Sequence, residues 1–219
     1  MIAAAGSGTR LGAGGPKALV EVAGRPLVAW SLDAIAAAAG IGPVVIAAPA
    51  GFQDELEAVA GDAAVVAGAS SRSGSVANAL ARVETEIVAV HDAARPLAPP
   101  SLFDAVVEAL AADPECDGVI AAAPVPDTLK RASGDRHRVS ETVDREGLWA
   151  IQTPQAFRSD ALRGAFAVDA ASLEAASDDA MLVEAAGGSV RLHPVAEANP
   201  KVTAAADLAL VEALLRGRR

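Results

Sequence analysis

Ile2-Ala3-Ala4-Ala5-Gly6-Ser7-Gly8-Thr9-Arg10-Leu11-Gly12-Ala13-Gly14-Gly15-Pro16-Lys17 opens the chain with a short apolar run that breaks into a glycine-rich loop. Residues 2–5 read as a buried strand, and the loop follows it directly. Glycines let backbone N–H groups approach and cradle phosphate oxygens. The C-terminal end of a strand is also where open α/β sheets bind ligands. A flexible surface loop is the simpler reading, but this loop carries Arg10 and Lys17 in a chain short of positive charge. Gly6, Gly8 and Gly12 are spaced one residue too long for the dinucleotide fingerprint. Pro16 stands before Lys17, where a Walker A loop needs glycine. Hydride transfer and P-loop hydrolysis are both disfavoured.

Outward from this loop, apolar β-type runs at 44–48, 63–67, 87–91 and 118–123 alternate with alanine-rich helical runs at 26–39, 52–60, 75–82 and 101–112. Continuous apolar strands separated by helices predict an α/β fold: a Rossmann-like, doubly wound, mainly parallel sheet with helices on both faces. Pro26 suits a first helical turn, and Ser75 and Ser101 suit N-caps. Residues 124–149 are polar and charged with two early prolines, and read as an arm leaving the domain as an extended hairpin. Helices at 159–168 and 178–186, a strand at 189–194 and a helix at 204–216 complete one domain spanning 1–219. No repeat of 20–50 residues is present, which excludes a solenoid.

Composition narrows the function. Of 219 residues, 52% are hydrophobic and only 3% aromatic, so an alanine-rich core must rely on close helix–sheet contact. The net charge of −10 argues against a nucleic-acid partner, whose phosphates demand a basic surface. An acidic chain that binds one small anion must concentrate its cations locally. The uncharged run 34–53 is broken by Gly40, Gly42, Pro43, Pro49 and Gly51, so no membrane span is expected. No signal peptide is expected either. Cys116 is the only cysteine, which allows no intrachain disulfide and fits a reducing cytoplasm.

The loop and Pro16-Lys17 resemble the signature of sugar nucleotidyltransferases. His91-Asp92-Ala93-Ala94-Arg95-Pro96 resembles, more narrowly, a motif of the 2-C-methyl-D-erythritol 4-phosphate cytidylyltransferase family. Further matches in the family's order are 126–130 (Pro-Asp-Thr-Leu-Lys), 142–145 (Thr-Val-Asp-Arg), Leu148-Trp149, 152–155 (Gln-Thr-Pro-Gln) and 201–203 (Lys-Val-Thr). Together they span nearly the whole chain. The resemblance implies CTP and a polyol phosphate as substrates, Mg2+ or another divalent cation as cofactor, and a homodimer in which the arm crosses to the partner. An enzyme for another polyol phosphate such as ribitol 5-phosphate shares most of these motifs. A catalytically silent nucleotide-binding protein is the alternative from another class.

Transfer of a nucleotidyl group is displacement at phosphorus, so the chemistry calls for cations and a metal, not a covalent nucleophile. Three histidines offer no catalytic set. Arg10 and Lys17 are the expected transition-state stabilisers, from their place in the loop and from the resemblance. Asp92 ends a buried strand at the ligand edge, where it suits either Mg2+ or a turn cap; the resemblance favours metal and nucleotide. The resemblance further implies that Arg145 and Lys201, assisted by Arg95, orient the acceptor phosphate. It implies acceptor contacts from Thr128, Thr153 and Ser177, and nucleotide contacts from Ala4, Ala5, Gly6, Gly8, Ala69 and Ser75. The chain departs from the family where Ala69 replaces the second of two glycines, where Ala18-Leu19 replaces glutamine and an aromatic, and where Ser177 replaces threonine.

Overall fold

In a computed structural model, residues 1–6, 8, 11, 12, 14–134 and 136–217 are described. Strand β1 (Ile2–Ala3) leads through the glycine loop to one 3-10 turn at Lys17–Leu19. A small hairpin, β2 (Glu21–Val22) and β3 (Arg25–Pro26), precedes α1 (Leu27–Ala36). Then follow β4 (Val45–Ala48), α2 (Gln53–Ala60), β5 (Ala64–Ala67), α3 (Arg72–Leu80), β6 (Ile87–Asp92), α4 (Pro100–Ala111) and β7 (Gly118–Pro124). The chain continues through β8 (Leu129–Ala132), β9 (Val139–Val143), β10 (Trp149–Arg158), α5 (Ser159–Ala165), α6 (Ala170–Ala175), α7 (Asp179–Ala185), β11 (Val190–Pro194) and α8 (Ala205–Gly217).

The main sheet has seven strands in the order β11-β7-β10-β6-β1-β4-β5. Every pairing in it is parallel except those of β10, which runs antiparallel to both β6 and β7. The expected mainly parallel α/β sheet is therefore present, with β10 inserted between β7 and β6. The sequence reading missed β10, because Pro154 lies inside it and a proline argues against a central strand. A register shift between Ile151 and Gln155 accommodates the proline.

Side chains alternate across the sheet. On one face Ile2 and Ile46 pack against Val28, Ile35, Leu56 and Phe103. Val119, Ala121 and Ala156 extend this face beneath Leu102, Val106 and Leu110 of α4. On the other face Val88, Val90, Ile120 and Phe157 meet Val76 and Leu80 of α3, Leu162 of α5 and Val183 of α7. The C-terminal helix closes a third cluster, in which Val211 and Leu215 cover Leu27, Leu97 and Val202. Within the expected arm, β8 and β9 pair antiparallel as a hairpin, while Pro124 and Trp149 still pair in the main sheet. Among the described residues no helix is long and apolar enough to cross a membrane.

Helix starts shift by a few residues. Pro26 lies in β3 ahead of α1, not in its first turn. Ser101 is not a cap, because Pro99 and Pro100 begin α4. Ser71 caps α3 by accepting a hydrogen bond from Gly74 N–H, so Ser75 sits inside the helix.

Gly118 tests the close packing at the sheet centre. A Cβ there would lie 2.6 Å from Cδ1 of fully buried Phe157. Gly118→Ala is expected to destabilise the fold by about 1–3 kcal/mol. Exposed Gly164 in α5 has open space around it, so Gly164→Ala should be stabilising by up to ~1 kcal/mol. Urea midpoints of the two variants check this contrast.

Candidate active site

The loop after β1 closes on itself. Lys17 N–H donates to Gly6 O at 3.0 Å, and Leu11 N–H donates to Gly8 O at 2.8 Å. Gly8 has φ +69°, and a Cβ there would lie 2.8 Å from Gly15 O, so only glycine fits this turn. Arg10 lies outside the described residues. Lys17 begins the 3-10 turn, and its Nζ donates to Val202 O at 2.9 Å. The connection from β11 to α8 thus folds over the loop and brings Lys201 to the same region.

A cleft with two lobes lies at the C-terminal ends of β1, β5 and β6. One lobe, about 400 Å³, is walled by Ala4, Ala5, Gly6, Lys17 and the 69–72 turn. The other, about 450 Å³, is walled by Arg95, Ile151, Thr153, Ser177 and neighbours. Arg72, Asp92 and Lys201 belong to both walls, so the lobes meet at these three side chains.

Asp92 ends β6 with its carboxylate largely buried. Oδ1 accepts from Arg72 Nε at 2.9 Å, and Oδ2 accepts from Lys201 Nζ at 2.6 Å. Burial alone would raise its pKa, but the adjacent charges of Arg72 and Lys201 outweigh burial and hold the carboxyl well below its usual range. It is therefore ionised at neutral pH. Asp92 N–H donates to Thr153 Oγ1 at 3.0 Å, and that hydroxyl also pairs with His91 Nδ1 at 3.1 Å. Burial pushes the His91 pKa down to about 3, so the imidazole is neutral.

Arg72 continues the network. Its Nη1 lies 3.0 Å from the carboxylate of Asp179, a residue with no exposed surface. Burial works against the charge of Arg72, but Asp179 and Asp92 more than offset this and raise its pKa. Arg95 straps two segments together, donating to Asn199 O at 2.7 Å and to Ile151 O at 3.2 Å. Asn199 in turn donates to Thr153 O at 2.9 Å.

The expected site residues divide between the lobes, the core behind them and the arm. Ala4, Ala5, Gly6, Lys17, Ala69, Asp92 and Lys201 share the first lobe, and Arg95, Thr153 and Ser177 line the second. Gly8 holds the loop turn behind them. Ser75 is buried and lines neither lobe. Its Oγ accepts from Ala69 N–H at 2.9 Å and donates to Ser71 O at 2.7 Å, so it shapes the 69–71 turn from behind. Ala69 N–H is thereby engaged within the chain. Thr128 and Arg145 lie on the arm and line neither lobe; an Arg145 guanidinium N–H donates to Pro126 O. The sequence reading missed Arg72, Asp179 and Asn199. Arg72 follows Ser70-Ser71 in a stretch with no diagnostic spacing, and only its two carboxylate partners, at 92 and 179, reveal it.

Asp92 is the carboxylate common to both lobes of the cleft that could hold a cation. Among the described residues no group of three or more His, Cys, Asp or Glu is placed to hold a metal. Each Asp92 oxygen takes one side-chain donor, which leaves a lone-pair site on each. A single ionised carboxylate beside ligand phosphates suits Mg2+, which keeps few protein ligands.

A mainly parallel α/β sheet with a glycine loop, clustered cations and a buried carboxylate at its strand ends is the arrangement of a nucleotidyltransferase fold. The 2-C-methyl-D-erythritol 4-phosphate cytidylyltransferase family model matches residues 1–217. The relative of that name from Deinococcus radiodurans is 48% identical over 214 residues, covering 98% of this chain and 88% of the relative. The one from Frankia casuarinae is 43% identical over 221 residues, covering 98% and 80%. The crystal structure of the cytidylyltransferase from Thermus thermophilus superposes with a TM-score of 0.81 at 36% identity, covering 98% of this chain and 97% of that one. The chain belongs to the 2-C-methyl-D-erythritol 4-phosphate cytidylyltransferase family.

Thr153 is the hinge of the hydrogen bonds behind Asp92. Thr153→Val keeps the volume but leaves Asp92 N–H and His91 Nδ1 without that partner. A stability loss of about 1–3 kcal/mol is expected, read as a lower urea midpoint.

Proposed function

We propose that this chain transfers CMP from CTP to 2-C-methyl-D-erythritol 4-phosphate, giving the CDP-alcohol and pyrophosphate of the non-mevalonate isoprenoid route. The observation that carries this reading is the two-lobed cleft whose lobes meet at Arg72, Asp92 and Lys201, in a chain of this family. One lobe sits on the glycine loop and suits the triphosphate. The other suits the acceptor.

An oxygen of the acceptor phosphate attacks the α-phosphorus of CTP. The new P–O bond forms as the bond to the β-phosphate bridging oxygen breaks, and pyrophosphate leaves with that electron pair. Two anionic reactants must approach each other, so cations carry the work. Lys17 and Arg10 offset charge on the triphosphate and the leaving group. Lys201 stands at the junction of the lobes, where it offsets repulsion between acceptor and donor. Asp92 would hold Mg2+ or another divalent cation, which would neutralise phosphate charge. Thr153, Ser177 and Arg95 shape the acceptor lobe. The walls at Ala4, Ala5 and Ala69 receive the cytidine side of CTP.

The same proposal includes a homodimer. Arg145 and Thr128 sit on an exposed hairpin and line no lobe of their own chain. In a two-fold assembly the arm delivers them to the partner's acceptor lobe, where Arg145 grips the acceptor phosphate. A cytoplasmic setting, where CTP is available, completes the reading, and the free thiol of Cys116 suits it.

Pyrophosphate release with Mg2+, scanned over four nucleoside triphosphates and several polyol phosphates, tests the assignment. The expected signal is strongest with CTP and methylerythritol phosphate; a ribitol 5-phosphate preference, or no release, would overturn it. Lys17→Ala should lower kcat by about 100-fold or more with folding intact. The arm has its own test. In a 1:1 mixture of re-equilibrated Lys17→Ala and Arg145→Ala chains, half the dimers are mixed and each carries one intact site. Recovery of roughly a quarter of wild-type activity is expected if the arm acts across a two-fold interface, and none if it acts within its own chain.

A further inference from the structure

Asp179 is a buried carboxylate to which the mechanism above gives no role. It begins α7, but it is not the cap: Asp178 caps the helix, accepting from Met181 N–H at 3.0 Å. Asp178 also ties the helix to β10, accepting from Gln155 Nε2 at 3.2 Å. Asp179 has no exposed surface and lies in the wall of neither lobe. What it holds is Arg72, whose Nη1 is 3.0 Å from its carboxylate. Burial and the like charges of Asp92 and Asp178 push the Asp179 carboxyl up, opposed by Arg72. Burying a charge in this way is unfavourable unless a close, well-aligned partner offsets the desolvation, and here that partner is Arg72.

Arg72 needs it for a geometric reason. It is the first residue of α3 and stands at the junction of the two lobes. With Asp92 as its only partner, a guanidinium there would be drawn towards any phosphate entering the cleft. Anchored through Nη1, it presents Nε to Asp92 Oδ1 in a set direction, and Oδ2 is then left to Lys201. A planar guanidinium can hold two carboxylates at a fixed angle in this way, whereas an ammonium cannot. The carboxylates of Asp92 and Asp179 also offset the repulsion among Arg72, Lys201 and the neighbouring Arg95.

We propose that Asp179 and Arg72 are positioning residues, a strut from α7 through α3 that fixes the Asp92 carboxylate for its metal and links the acceptor side of the cleft to the nucleotide side. The proposal rests on the functional reading above, in which Asp92 is the metal ligand. Asp179 then acts on the reaction without touching either substrate. Outer partners of metal ligands commonly have this effect.

The test uses Asp179→Asn, which keeps the shape and removes the charge, and Arg72→Lys, which keeps the charge and removes the two-pronged grip. Mn2+ affinity of the CTP-bound protein, without acceptor, is read by electron paramagnetic resonance. Both variants are expected to weaken Mn2+ binding and lower kcat by about 10–100-fold. The KM for the acceptor should move less than about threefold. A urea midpoint near wild type shows that the protein is folded; should Asp179→Asn not fold, Arg72→Lys carries the test. In the Asp92→Asn background, Asp179→Asn should add almost nothing, because both act through one carboxylate. Wild-type Mn2+ affinity and kcat in a folded variant, or full additivity with Asp92→Asn, overturns the strut. Failure of the wild-type protein to release pyrophosphate would overturn the functional reading instead, and the Mn2+ measurement would still judge the strut.

Discussion

The carboxylate of Asp92, held between Arg72 and Lys201, is the contact on which the site depends. Its two oxygens join the first residue of α3, the end of β6 and the connection before α8. These segments are far apart in sequence and meet only because β6 lies beside β1 at the centre of the sheet. The pairing also addresses an electrostatic problem. A chain of net charge −10 has to gather cations where phosphates are to bind, and gathered cations repel one another. Asp92 and Asp179 offset that repulsion while leaving Lys17 and Lys201 in the cleft walls.

The surrounding scaffold is closely packed. Alanine is the commonest residue of the core, so backbones approach closely where it lines the sheet. Phe103 and Phe157 are exceptions, one on each face of the sheet. Phe157 packs over Gly118, which fixes β10 against β7 at the point where the direction of the sheet reverses. From that point β10 carries Thr153 under the Asp92 backbone, so a core contact and a site contact share one strand.

The parallel core and the hairpin arm were legible in the sequence because both carry local patterns. Apolar runs of about four to six residues punctuated by glycine and proline mark buried strands, and a polar, charged stretch that begins with two prolines marks an excursion. β10 was not legible. Its central Thr153-Pro154 contradicts the rule for inner strands, and only the register shift between β7 and β10 shows how the sheet absorbs it. Ser75 misled for a related reason. A serine suits a cap or a helix interior equally well in sequence, and the choice fell to Ser71, whose hydroxyl meets the Gly74 amide.

By itself the sequence determined the strand–loop unit at the N-terminus, the alternation that follows, and the identity of the cations and the carboxylate in the recognisable motifs. These are local: glycine spacing, hydrophobic period and short motifs are properties of neighbouring residues. Only the tertiary structure decided that Arg72 belongs with them, that Asp179 is buried against it, and that Lys17 and Lys201 reach one cleft from opposite ends of the chain. Those facts are pairings between charges more than a hundred residues apart, such as Arg72 with Asp179 and Lys201 with Asp92. Coulombic partnership depends on distance in space and leaves no period or spacing in the chain to read.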